Sequence, residues 1–341
     1  MQTFVNYLQG SKNPLLKYIS AVIFLLALAL SPMDYIWANA KTTYNILILS
    51  SGKSPLYLDI IDTIQNSVTS NKALSKKGIS TEFNLVYLSS NQTIEEIQNS
   101  ADNNDLIISI GQKALIASTN FYNAPPIIVS LIPKQSYEKY RPALEKASEK
   151  STAIFIDNPP RRQILLAKIL LGDIQRLGVL IGDTSPYDKE FLTSAIQAAG
   201  IQSQIETTNP TDNLIRKLSH VIENSDAFIA FPDAQIFNRN TAKNILLTTY
   251  RQRTPVIAYS ASYVRAGALA AVYSTPQQIA KQIGKTLIKI LQFQLSFPDE
   301  NSHPEEFEIA INQKVAKSLG ISTSTQAVIK NQMINILQEK P

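Results

Sequence analysis

From Asn45 to Tyr259 the chain alternates short apolar runs with amphipathic segments. The runs Asn45–Leu49, Phe83–Leu88, Asp105–Ile110 and Pro126–Leu131 are rich in Ile, Leu and Val, as expected of strands buried on both faces. Between them, Leu56–Thr69, Thr93–Ser100, Gln112–Ser118 and Ser136–Ala147 carry helical spacing, and Ser151–Ile156 adds a fifth strand. Few folds accept that order: it predicts a doubly wound parallel sheet with helices on both faces. Asn158-Pro159-Pro160 interrupts the pattern, since each residue before a proline is pushed to extended geometry. A second set follows, with helices at Arg161–Leu171, Lys189–Ala199, Thr211–Asn224 and Thr241–Arg251. Its strands are Leu177–Ile181, Ser203–Thr207, Asp226–Phe231 and Val256–Tyr259. The expected fold class is α/β, two doubly wound parallel-sheet lobes facing each other across a cleft.

The alternation breaks after Tyr259. Ser260–Arg265 reads as a polar loop, Gly267 as a kink and Ala268–Tyr273 as a strand, followed by a long helix from Thr275 to Gln292. So short a connection argues against parallel neighbours with a helix between them, so the chain is expected to change lobes at Gly267. A polar, proline-flanked loop at 297–304 precedes a strand at Phe307–Ile311; Asn312 caps a helix that Gly320 ends, and a last helix spans Thr325–Gln338. The expected division is 1–40 as a signal peptide, 41–156 plus 268–341 as lobe 1, and 157–267 as lobe 2. Crossings are expected near Asp157, at Gly267 and after Gln292.

The first forty residues have the parts of an export signal. Lys12 and Lys17 precede the apolar run Tyr18–Leu30, Pro32 breaks it, and Ala38-Asn39-Ala40 is a small-x-small cleavage site. The run is short for a bilayer, which needs about 20 apolar residues. There is no cysteine in the chain, hence no disulfide, no thiolate metal site, no cysteine nucleophile and no lipid-anchoring cysteine behind the apolar run. The expectation is an unanchored, monomeric protein of the periplasm of a Gram-negative cell. Removing 1–40 takes away Lys12, Lys17 and Asp34, so a net charge of +5 becomes +4. The basic residues are spread over helix faces without a run of five, which argues for a solvated surface and against nucleic-acid binding.

In open parallel sheets ligands bind beyond the carboxyl ends of the strands. That rule selects Ser50, Ser51, Ser89-Ser90, Gly111, Gln112 and Ser130 in the first half, and Gly182, Ser185, Asp233, Tyr259, Ser260 and Tyr263 in the second. Hydroxyls and glycines there suit hydrogen bonding to a small polar ligand, although Ser, Thr, Gly and Asp are also what helix caps and turns require. Tyrosines beside the loops offer a flat face and a hydroxyl. Asp157, Asp183 and Asp233 are acids on three loops that cap helices or meet a ligand amine. His220 and His303, the two histidines, lie away from the strand ends, so no Ser–His–acid arrangement forms. Neither Gly-x-Gly-x-x-Gly nor a Gly-Lys-Ser/Thr loop is present. These absences predict no enzyme, no metal and no cofactor.

Four stretches carry a family resemblance: RLGVLIGDTSP from Arg176, DAFIAFPD from Asp226, PVIAYSASYVRAGALAA from Pro255 and IAINQKVAKSLGI from Ile309. They resemble the ABC transporter substrate-binding proteins of the type I periplasmic-binding-protein fold, in the branch that includes tryptophan- and phenylalanine-binding members. The resemblance implies Gly182, Ser185, Asp233, Tyr259, Ser260 and Tyr263 as cleft residues, and a tail that returns to the first lobe. It departs from the family pattern at Gln112-Lys113 and at SLIPK, so the amino-acid specificity of the best-known members does not carry over; Lys113 or Lys134 near the cleft would favour an acidic ligand. The implied function is an exported receptor that delivers a small molecule, an amino acid or another small polar compound, to an ABC permease. The alternative is a sensory or accessory subunit that signals to a membrane receptor or kinase.

Overall fold

The computed structural model describes residues 42–89 and 92–338. The stretch 1–40, expected to be an export signal, and Ser90 lie outside them. Two sheets form. The first has five parallel strands in the order β2-β1-β3-β4-β5: β1 Thr42–Ser50, β2 Ile79–Tyr87, β3 Leu106–Ile110, β4 Ile127–Ile132 and β5 Ser151–Phe155. The second has the order β11-β10-β9-β8-β6-β7: β6 Arg176–Gly182, β7 Gln202–Thr208, β8 Ala227–Ile229, β9 Val256–Ala258, β10 Ala270–Tyr273 and β11 Glu308–Ile311. From β6 to β10 its order matches that of the first sheet, and only β11 runs antiparallel.

Helices α1 Pro55–Thr69, α2 Lys72–Lys76, α3 Ile94–Asp102, α4 Gln112–Ser118 and α5 Lys134–Ala147 belong to the first lobe. The second carries α6 Pro160–Leu171, α7 Lys189–Gln197, α8 Leu214–Glu223, α9 Ala242–Arg251 and α10 Ala261–Ala266. The period of two in a strand divides each sheet's residues between two cores. Ile46 and Ile48 of β1 pack with Ile60 and Ile64 of α1, while Leu47 and Leu49 pack with Leu115 of α4 and Leu144 of α5. In the second lobe Val179 and Ile181 join Ile164 and Leu192 on one face, and Leu180 joins Val221 and Ile245 on the other.

Three sequence expectations are corrected. Ser260–Arg265 is not a loop: Ser260 Oγ accepts from the Tyr263 N–H at the start of α10, and Gly267, at φ 131°, ends that helix. Strands β9 and β10 are parallel neighbours, with Ala270 opposite Ile257. Strands of three and four residues need only the six-residue α10 to reverse the chain, so a crossover shorter than usual suffices. The chain therefore does not change lobes at Gly267.

The return comes at Tyr273–Thr275. Helix α11, Pro276–Gln292, packs Ile279, Ile283 and Leu287 against α1 in the first lobe. The tail does not stay there. Ser302 bridges to Ile154 at the edge of the first sheet, but β11 joins β10, and α12 Gln313–Leu319 and α13 Gln326–Gln338 bury Ala316, Ile329 and Met333 in the second core. An alternating strand beside an unpaired β10 finds its hydrogen bonds there, and its apolar face follows.

Three chain segments thus cross between the lobes: 156–159, 273–275 and 302–306. One side chain ties two of them directly. Arg162 Nη1 donates to Asn158 Oδ1 (2.6 Å) and to the Pro304 carbonyl (2.7 Å), and Nη2 donates to the Glu305 carbonyl (2.9 Å). Asn158 Nδ2 donates to Ser274 Oγ, whose hydroxyl donates to the Glu306 carbonyl, bringing in the third. The guanidinium also lies 4.6 Å from the Phe307 ring centroid. Replacing Arg162 by Ala leaves three acceptors without a charged donor and is expected to lower stability by about 3 kcal/mol. Lysine should not restore it, because it lacks the planar fork. Urea unfolding of the two variants checks this; wild-type stability in Arg162→Lys would contradict it.

Candidate functional site

The strand order reverses between β1 and β3 in one lobe and between β6 and β8 in the other, and these are the points where such sheets bind ligands. Here the chain's own side chains fill both. In the first lobe Gly111 takes φ 88°, and a Cβ there would lie 2.7 Å from Ser51 Oγ and 2.7 Å from the Tyr57 hydroxyl. Ser51 Oγ accepts from the Ala114 N–H at 2.9 Å. In the second lobe the buried Asp233 carboxylate accepts from the Gly182 N–H (2.8 Å) and the Gln235 N–H (3.0 Å), pinning the end of β6 to the loop after β8.

A cavity of about 430 Å³ opens beside the second of these points, between the lobes. From the first lobe it takes Pro133 and the first turn of α5 (Gln135, Ser136). The second lobe gives the turn after β8 (Asp233, Phe237) and the start of α10 (Tyr259, Ser260). Asp157 and Ser274, from two of the crossings, form part of its wall. Anything held there touches both lobes and the crossings between them.

Of the residues expected to bind ligand, Asp233, Tyr259 and Ser260 line this cavity. Tyr263 stands behind Tyr259, ring centroids 5.2 Å apart, its buried hydroxyl without a hydrogen-bond partner among the described residues. Gly182 lies beneath Asp233. Ser185 supports its own loop by accepting from the Tyr187 N–H. Ser51, Gly111 and Gln112 group at the ends of β1 and β3, outside the cavity wall. Ser50 is buried and donates to the Gly52 carbonyl. Ser130 is a strand-interior residue: β4 extends to Ile132, and the buried hydroxyl donates to the Ile154 carbonyl of β5. Lys134 turns its ammonium to the Tyr187 ring, 4.9 Å from the centroid, and is absent from the cavity wall.

Sequence reasoning missed Gln135, Phe237 and Ser274. Gln135 is the most consequential, because Nε2 donates to the carbonyl and the hydroxyl of Thr184 (3.0 Å each) while Oε1 accepts from the Ala234 N–H (3.4 Å). One side chain of the first lobe thus spans the cleft to two loops of the second. Placing the end of β4 one residue later would have turned the strand-end rule from Ser130 toward Pro133–Ser136.

Asp157 is the titratable group at the cavity's base. Oδ2 accepts from the Lys134 N–H at the start of α5, and the backbone carbonyl accepts from His303 Nδ1 on the third crossing. Burial pushes its carboxyl up to about 7, against the opposing pull of the Lys134 N–H and ammonium. Burial likewise raises the Tyr259 hydroxyl and lowers His303.

A profile of the ABC transporter substrate binding proteins matches residues 58–333. The chain belongs to that family. Comparison with curated proteins finds no match. Among solved structures, the chain is similar to an ABC domain in complex with L-Trp from Streptococcus pneumonia, at 18% identity and a TM-score of 0.52, over 84% of this chain and 98% of that one. It is also similar to the ligand-free, open structure of a substrate binding protein with adhesive properties from Clostridium difficile, at 18% identity and a TM-score of 0.56, over 83% and 96%. The fold is that of the type I periplasmic binding proteins. Among the described residues no helix is long and apolar enough to cross a membrane.

Two outcomes follow from this geometry. Between about pH 4, the ordinary carboxylate value, and about pH 7, folded Asp157 keeps a proton that the unfolded chain releases. Its contribution to stability therefore falls as pH rises through that window. Asp157→Asn should match the wild type only below about pH 4, exceed it by about 1–2 kcal/mol near pH 5 and by about 4 kcal/mol at pH 8. His303 acts in the opposite direction below its ordinary value near 6.5, and the difference between the two proteins cancels it. Parallel melting curves across this range test the sign. Asp233→Ala strips the Gly182 and Gln235 N–H groups of their acceptor and should cost about 2–3 kcal/mol; an unchanged melting temperature would contradict the pinning role.

Proposed function

We propose that this family member is an exported receptor that captures a small molecule in the interlobe cavity and hands it to an ABC permease. The observation that carries the reading is the position of the cavity. It is walled by both lobes and by the crossings, so binding there changes the balance between open and closed arrangements. A ligand held elsewhere on either lobe would have no such differential contact. The hydroxyls of Ser136, Ser260 and Ser274 give orientation, and the aromatic wall of Phe237 and Tyr259 gives area.

Gln135 supplies the closing contact across the mouth. Where the permease reads the closed form, these bonds couple occupancy to shape. The signal-like segment at 1–40, with Ala38-Asn39-Ala40 as its cleavage site, supports export to the periplasm.

A thermal-shift panel of small polar compounds tests the reading. A true ligand at a hundred times its dissociation constant adds about 2.7 kcal/mol to stability. Tyr259→Ala should abolish the shift. Gln135→Ala should keep the fold, lower the affinity about three- to tenfold, and enlarge the radius of gyration of the liganded protein in solution scattering. A ligand whose shift survives Tyr259→Ala binds outside the cleft and would sink the proposal.

A further inference from the structure

The charges facing the cavity are unbalanced. Two carboxylates, Asp157 and Asp233, belong to its wall, and no lysine or arginine does. The two acids are not equivalent. Both oxygens of Asp233 accept backbone N–H groups, at 2.8 and 3.0 Å, so its acceptor capacity is largely used inside the second lobe. Asp157 has the Lys134 N–H on Oδ2, and among the described residues no donor meets its other oxygen.

None of the three neighbouring bases makes an ion pair with it. The Lys134 ammonium stands over the Tyr187 ring and makes no ion pair with Asp157. Arg162 is spent on Asn158 Oδ1 and the carbonyls of Pro304 and Glu305. His303 gives its Nδ1 to the Asp157 carbonyl, not to the carboxylate. Burial outweighs the pull of Lys134 and raises the carboxyl to about 7, the mark of a buried acid without an ion-pair partner. Around it the wall is aromatic: Phe237 and Tyr259 meet edge to face with centroids 6.2 Å apart, and Tyr273 lines the side of the second crossing.

A buried, half-bonded carboxylate beside aromatic rings is complementary to positive charge on an apolar body. A ligand carboxylate, by contrast, would enter a cavity that already holds two acids and no base. Resting on the reading of the cleft as the ligand site, we propose that its ligand is a monocation without a carboxylate, a protonated amine or quaternary ammonium on a flat apolar body. The positive head sits against Asp157 and the body lies along Phe237 and Tyr259. This reverses the expectation of an acidic ligand drawn from Lys113 and Lys134, and it excludes a free amino acid as the preferred ligand.

The test varies the head group at constant body. Isothermal titration calorimetry of the whole protein at pH 7.5 compares phenethylamine, phenylalanine and 3-phenylpropionate, and the same three heads on an indole body. The amines should bind at least about tenfold tighter than the amino acids, a difference of about 1.4 kcal/mol, and the acids should show no binding. Asp157→Asn should remove that preference while melting at or above the wild-type temperature, and the wild-type series decides the matter even if that variant fails to fold. Binding of an amino acid or an acid as tight as its amine, lost in Tyr259→Ala, overturns this inference and leaves the cleft as the site. The same binding retained in Tyr259→Ala overturns the cleft reading as well. If no amine binds, the inference also falls.

Discussion

Three separate stretches of backbone pass between the lobes side by side, and their polar groups need partners there. The structure meets that demand with the Arg162 guanidinium. Its fork satisfies the carbonyls of Pro304 and Glu305 on one crossing and the side chain of Asn158 on another, and Asn158 passes the connection to Ser274 on the third. A buried acceptor without a donor costs more than an ordinary hydrogen bond contributes, so this set fixes where the crossings lie. Burial lowers the guanidinium only to about 10, so it stays charged at neutral pH. The alignment of two otherwise independent sheets, and hence the existence of a cleft, depends on it.

Much of this fold is written in the local pattern. The apolar runs at Asn45, Asp105 and Leu177 became strands with residues alternating between two cores, and Asn312 and Gly320 bracket the helix that their caps announce. What the pattern did not carry was partner choice. Nothing in Ala270–Tyr273 states whether it extends the second sheet or opens the first. The answer came from α10, whose six residues suffice because the strands it joins are so short. Likewise an alternating Glu308–Ile311 fits any free strand edge, and only the completed second sheet shows that β10 offers one. The short α2 has no long amphipathic face and rests on its cap: Asn71 Oδ1 accepts from the Ala73 and Leu74 N–H groups.

The site was legible in outline and not in detail, for a related reason. Of the residues the strand-end rule selected, Asp233, Tyr259 and Ser260 line the interlobe cavity. The rule could not tell a side chain that faces a ligand from one that closes its own sheet. Ser51 and Asp233 do the second, holding Ala114 and Gly182 in place. Gln135 and Ser274 escaped because they act across chain segments far apart in sequence: Gln135 reaches Thr184, and Ser274 reaches Glu306. Long-range polar contacts of this kind have no periodic signature.

Asp157 joins the crossings to the cavity. Its backbone belongs to a crossing, with the carbonyl held by His303 of another, and its carboxylate closes on the N–H that opens α5, one residue before Gln135. The residue that bears the cavity's unbalanced charge is therefore attached at once to the hinge and to the segment that reaches across the mouth. Charge arriving at Asp157 acts on the start of α5 through a single hydrogen bond. Gln135, next in the chain, makes the contacts with Thr184 and Ala234 that hold the lobes together. With the ligand placed at Asp157 as proposed, ligand and closure would be linked through adjacent residues, and a short path would couple them.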